Sequence, residues 1–200
     1  MSSRMGISPE SVVFINDAAG YLLGEIAAGA ASEGHRVVGI TLGTGVGSGF
    51  AIDGEIVTSG TGVPPGGEIW NVPWGKGIFE DAISTRAIQA TYRSLTGTTL
   101  EVKQIAEQAA SDRNAAETFR RFGQEFGAVL KAIYDGFHPD LFVIGGAIAR
   151  SASLFLPVAQ QTLGEAGVRI VVSKLFENAA LVGAGARWLQ ATKSASKSHS

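Results

Sequence analysis

Chemistry-bearing residue types stand at a few places in this chain. Asn16-Asp17 lies directly ahead of a run, Ala18 to Ala31, whose Leu22, Leu23, Ile26 and Ala30 share one helical face. A carboxylate at that point can cap the helix. The same helix end also keeps a carboxylate ionised, as a general base must be. Farther on comes Gly43-Thr44-Gly45-Val46-Gly47-Ser48-Gly49. No Gly-Lys-Ser/Thr ends it, so it is not a P-loop. A dinucleotide fingerprint opens a helix, whereas the residues after Gly49 alternate like a strand and turn at Asp53-Gly54. Two readings stand: a hairpin whose backbone N–H groups point at phosphate oxygens, helped by the hydroxyls of Thr44 and Ser48, or a tight hairpin that merely needs glycine. Gly145-Gly146-Ala147, at the end of an apolar strand, is likewise either a ligand-proximal turn or a close strand-to-helix turn.

Composition sets limits on these readings. The 200 residues are 45% hydrophobic, enough to bury a core, and the net charge is −2. No Lys/Arg run suggests a nucleic-acid footprint. Cysteine is absent, which removes disulfides, thiol catalysis and cysteine zinc sites. The polar Met1–Pro9 lacks the apolar core of a signal peptide, and no stretch approaches a membrane span. A cytoplasmic protein with no membrane or nucleic-acid partner is expected. Glycine, at 27 residues, is about twice its ordinary usage, which leans towards backbone brought close to a ligand.

The elements that must position these residues follow from periodicity. Val12–Ile15 has strand character. Val37–Leu42, Phe50–Ile52 and Glu55–Val57 predict three antiparallel strands, the last two joined by a type I′ turn at Asp53-Gly54. Helices are expected over Phe79–Leu95 and Val102–Ala110. Another, capped by Asn114, should run to Phe137 with Phe119, Phe122, Phe126, Val129, Ile133 and Phe137 as its core stripe. Strands at Leu141–Ile144 and Val168–Val172 alternate with helices at Ser153–Leu163 and Ala179–Gln190. The pattern is α/β, a mixed sheet flanked by helices. Residues 1–11 and 191–200 are expected to be disordered, and 12–190 to form one lobe.

The order Asn16-Asp17, Gly24-Glu25, Leu42-Gly43-Thr44-Gly45-Val46-Gly47, Gly67-Glu68-Ile69, Glu80 and Ile144-Gly145-Gly146 resembles the ROK family of bacterial sugar kinases and sugar-responsive repressors. The resemblance runs from about Val12 to Leu189. It implies the actin-like ATPase (ribonuclease H-like) fold, here mainly its larger C-terminal lobe. It also implies ATP-dependent phosphorylation of a hexose or N-acetylhexosamine hydroxyl. Asp17 would then be the general base, with Asn16, Glu68, Asn71 and Glu80 on the sugar. Gly43, Thr44, Gly45, Gly47, Gly145 and Gly146 would lie on the nucleotide. Carboxylates such as Glu68 and Glu80 suit a sugar because each can bond two hydroxyls at once. Glu80 can instead complement a helix dipole, and Glu68 can be a solvated loop charge. The implied cofactors are ATP and Mg2+, and a homodimer is possible for such a family.

Two departures from the family pattern carry weight. Trp70-Asn71 stands where zinc-containing members have Gly-His, and Val72–Ile78 replaces their cysteine run, so no zinc is expected. Trp70 and Trp74 would hold this loop by packing, and Asn71 alters the sugar contact. The family's Asp-x-Gly-Gly-Thr turn, normally about a hundred residues ahead of Asn-Asp, has no counterpart in the fifteen residues before Asn16. An N-terminal lobe is therefore expected to be missing, with weak or no turnover by this chain alone. The alternatives are a sugar-binding regulator without turnover, an inactive fragment, or an actin-like assembly module. His35, His138 and His199 have no metal-site spacing and are read as non-catalytic, and no metal site is expected.

Overall fold

A computed structural model describes the backbone of residues 14–197 and the side chains of residues 14–190. Half of the expected strand at Val12–Ile15 and the whole of segment 1–11 lie outside the described residues, as does His199; the other half, Phe14 and Ile15, is not in a strand, and the first element is a helix. The first helix, α1 (Asp17–Ala28), starts at Asn16, whose Oδ1 accepts the Ala18 N–H at 2.9 Å. Asn16, not Asp17, is therefore the cap.

Strands β1 (Arg36–Leu42), β2 (Val46–Ile52) and β3 (Glu55–Val57) form the expected antiparallel meander. Its β2–β3 turn has Asp53 at φ 50° and Gly54 at φ 82°, the positive pair that a type I′ turn requires. A two-residue ribbon, β4 (Pro73–Trp74) with β5 (Gly77–Ile78), leads into α2 (Phe79–Ile83). The helix expected over Phe79–Leu95 is broken. Ser84 is extended, and α3 (Thr85–Thr96) begins anew because the Thr85 N–H donates to Gly43 O at 2.8 Å rather than into a continuing helix.

Next come α4 (Val102–Gln108) and α5 (Arg113–Phe137). Asp112 caps α5 by accepting the Asn114 N–H at 2.8 Å, in place of the Asn114 cap read from sequence. Then follow β6 (Leu141–Gly145), 3-10 turns over Ile148–Leu154, α6 (Leu156–Leu163), β7 (Arg169–Val172) and α7 (Ala179–Lys197). The last helix continues past Gln190, where the sequence reading ends it, to Lys197. Its final residues include alanine and lysine, both good helix formers.

The main sheet has the order β3-β2-β1-β6-β7, with β1, β6 and β7 mutually parallel. Alternation along β1 explains its two faces. Val38, Ile40 and Leu42 join the aromatic stripe of α5, while Val37 faces α1. Phe119, Phe126 and Phe137 are fully buried, and Phe155 packs edge-on against Phe122 with centroids 5.0 Å apart. Burying each such ring contributes about 2 kcal/mol or more. The opposite face is covered by α1, with α7 laid along α1. There the helices meet at backbone distance, where a Cβ on Gly183 would stand 1.8 Å from Gly20 O and one on Gly24 would stand 1.9 Å from Ala179 O.

Candidate functional site

The carboxyl ends of parallel β1 and β6, the N-terminus of α1 and the β1–β2 hairpin converge on one side of the sheet. Ligands of α/β sheets bind outside such strand ends. Asp17, in the first turn of α1, is exposed and lines a cavity of about 420 Å³ together with Thr41, Gly146, Ala147 and Arg150. A second cavity of about 650 Å³ lies between Thr44, α4 and the 3-10 turns after β6, and it too is lined by Ala147 and Arg150. Thr44 and Gly146 thus each border one of two spaces that share a wall. The expected sugar-site residues Asn16, Glu68, Asn71 and Glu80 line neither.

The hairpin loop proper is Gly43-Thr44-Gly45, since β2 begins at Val46. Two contacts fix it. Gly43 O accepts the Thr85 N–H, and Glu80 Oε2 accepts the Val46 N–H at 3.1 Å. The other Glu80 oxygen accepts from Arg86 at 3.0 Å. Sequence reasoning missed this tether, because Arg86 carries no signal until α2 and α3 are seen to fold back on the loop. Gly47 and Gly49 lie in β2 beneath α1. A Cβ on Gly49 would be 3.2 Å from Ala18 O, so these glycines admit the helix that carries Asp17.

Ser48 is buried rather than facing the loop. Its hydroxyl donates to Gly67 O at 2.6 Å and accepts the Ile69 N–H at 3.0 Å, pinning the segment that bears Glu68. Glu68 Oε2 accepts the indole N–H of Trp70 at 3.1 Å, and Asn71 is exposed in the turn that follows. Of the two tryptophans expected to hold this loop, Trp74 does so, edge-on to Phe79 at 5.2 Å and donating to Glu125. Trp70 is 41% exposed and packs little.

Gly145 and Gly146 make the turn at the end of β6. Gly146 has φ 82°, and a Cβ there would sit 2.3 Å from Leu42 O, so only glycine lets this turn close over the end of β1. Gly145 is buried against the Tyr21 ring, which packs from α1.

Glu25, completely buried on α1, holds the neighbouring loop. It accepts the backbone N–H groups of Ala30, Lys174 and Leu175 and the hydroxyl of Ser173. Burial pushes its pKa up, but these donors outweigh that and hold the carboxyl below its usual value of 4.5. A folded-state pKa below the unfolded one gives stability that is present above the ordinary value and is lost as pH falls through the folded one. Glu25→Gln is therefore expected to lower unfolding free energy by about 3 kcal/mol at pH 7. Urea unfolding at pH 7, 5 and 3 should show that gap narrowing as the pH drops.

Among the described residues no group of three or more His, Asp or Glu is arranged to hold a metal ion, and no helix is long and apolar enough to cross a membrane. His35 pairs with Asp53 at the far end of the sheet, and His138 ends α5 in the left-handed conformation.

The ROK family model matches residues 8–191. A glucokinase of Thermotoga maritima is 26% identical over 206 residues, covering 88% of this chain and 65% of its own length. An N-acetyl-D-glucosamine kinase of Haemophilus influenzae is 26% identical over 141 residues, 60% of this chain and 46% of its own. A ROK family glucokinase from Streptomyces griseus, solved in complex with glucose and AMPPNP, superposes with a TM-score of 0.73 at 26% identity, over 92% of this chain and 69% of its own. This chain thus spans about two thirds, or less, of these relatives. The shared architecture is the actin-like ATPase fold.

Proposed function

We propose, starting from the fact that this chain belongs to the ROK family, that it forms the sugar- and nucleotide-binding lobe of a kinase for hexoses or N-acetylhexosamines. The observation that carries this reading is the cavity shared by the Asp17 carboxylate and the Gly146 turn at the ends of β1 and β6. The curated relatives that this chain resembles are kinases of these two sugar classes.

The residues present suit a nucleotide. The cavity beside Thr44 has the size of a small-molecule site, and Ala147 and Arg150 form a wall that it shares with the cavity of Asp17. ATP, with Mg2+ carried on its phosphates, supplies the phosphoryl group to be transferred. The hairpin Gly43–Gly45 and the Gly145-Gly146 turn would hold the phosphates through backbone and Thr44 hydroxyl. The family pattern assigns Asn16, Glu68, Asn71 and Glu80 to the sugar hydroxyls, although none of the four lines the cavity of Asp17 and both Glu80 oxygens already accept hydrogen bonds. Asp17 Oδ accepts the proton of the sugar hydroxyl as that oxygen attacks phosphorus. Capping does not compete for Asp17, because Asn16 provides it.

The test is ADP release from Mg-ATP by this chain across a panel of hexoses and N-acetylhexosamines, beside direct sugar binding. Weak sugar-dependent release is expected with at least one of them. Saturable sugar binding without any release would replace the kinase by a sugar sensor or an inactive fragment of a kinase.

A further inference from the structure

We propose that Arg150 is the cation that receives the polyphosphate of the nucleoside triphosphate, and that Glu177 and Phe176 hold its guanidinium ready. This rests on the nucleotide-binding reading above and adds a residue that the family motifs do not contain.

Position makes the first argument. Among the described residues Arg150 is the only basic one that lines both cavities. A nucleotide seated beside Thr44 must send its phosphates past Arg150 to reach Asp17. The glycine hairpin brings no lysine of its own. Lys103, the other basic residue of the larger cavity, does not reach the cavity of Asp17. A guanidinium is suited to the task because its fork of N–H donors matches two phosphate oxygens at once.

The loop opposite is built to present a partner to Arg150. Buried Glu25 grips the N–H groups of Lys174 and Leu175 at 3.2 and 2.9 Å, and Ser173 Oγ accepts the Phe176 N–H at 2.8 Å. Held this way, Phe176 takes φ 46°, a left-handed conformation that is strained for a bulky aromatic. The result is a ring 4.9 Å from the guanidinium carbon of Arg150 and a Glu177 carboxylate hydrogen-bonded to it. Side chains of the pair are 57% and 75% exposed, so the ion pair is weak and a phosphate chain can displace the carboxylate. Phe176 stays with the guanidinium in either state and keeps it aimed along the cavity wall.

The experiment is equilibrium binding of ATP, ADP, AMP and adenosine to the whole chain and to three variants. Arg150→Ala is expected to weaken ATP and ADP about 10-fold and to leave AMP and adenosine within about twofold. Arg150→Lys keeps the charge without the fork and is expected to lose about threefold for ATP. Glu177→Gln removes the competing carboxylate and is expected to tighten ATP about threefold. Thermal melting of each variant checks that the fold is intact, as the exposure of both side chains predicts. The proposal is overturned if Arg150→Ala weakens adenosine as much as ATP, if ATP binding is unchanged, or if Glu177→Gln weakens ATP as Arg150→Ala does. No nucleotide binding by the unaltered chain would overturn the nucleotide reading itself, a separate outcome.

Discussion

Asp17→Asn is expected to slow phosphoryl transfer about 10³-fold, equivalent to about 4 kcal/mol of transition-state stabilisation. Binding of sugar and nucleotide should stay within about twofold. The two effects separate because of how α1 begins. Asn16 Oδ1 carries the capping bond, and the Asp17 carboxylate faces an open cavity. An asparagine in the first turn forfeits only the dipole interaction, about 0.3–1 kcal/mol. It keeps a hydrogen-bonding oxygen for the sugar but cannot take up its proton. Initial rates beside sugar and nucleotide titrations make the check. If binding and rate fall together, Asp17 is a structural residue and another base must be sought.

Gly183→Ala should produce the largest loss of stability among small substitutions on the surface of contact between α1 and α7. Its new methyl carbon would stand 1.8 Å from Gly20 O and 2.8 Å from Gly24 N, and backbone on the facing helix cannot swing away as a side chain can. Overpacking of this kind costs about 3 kcal/mol, the upper end of its usual range. For a chain of this size that lowers Tm by roughly 6–12 °C. Gly185→Ala, one half-turn farther along α7, is the control. A Cβ there meets nothing within 4 Å, so this variant should be neutral or gain up to about 1 kcal/mol in helix propensity. Melting curves that put both variants at the same Tm would show that the helices do not touch as described.

Periodicity carried much of the fold, and where it misled, a long-range contact was responsible. The aromatic stripe of α5 and the β1–β3 meander depend on local pattern, and both form as their residues dictate. The break at Ser84 could not be read from Phe79–Leu95, because the bond that wins there comes from Gly43, some forty residues away. Capping shows the same limits on a smaller scale. Asn16 and Asp17 are both good caps, as are Asp112 and Asn114, and sequence alone does not rank the neighbours.

In the candidate site, residue types pointed to Asp17, the glycine hairpin and Gly145-Gly146, which the fold gathers at one end of β1 and β6. Arg150 had no such signal. It lies in no motif, and its position beside both cavities arises only when β6 is laid beside β1 and the loop before α7 closes over it. Ser48 was legible as a hydroxyl but not in its direction, since the pleat of β2 turns it inward, towards Gly67.

The parallel pairing of β1 with β6 joins segments such as Arg36 and Asp140, 104 positions apart in the chain. On a ribosome adding 5–20 residues per second, β1 emerges roughly 5–20 s before the strand that covers its inner edge. During that interval the hairpin of β1 and β2 can form but exposes a row of unpaired N–H and C=O groups flanked by Val38, Ile40 and Leu42. The nascent chain is thus most prone to self-association after β2 has emerged and before β6 has. Slower decoding between residues 58 and 140 is expected to lower the soluble yield, and a chaperone that shields bare strand edges is expected to restore it.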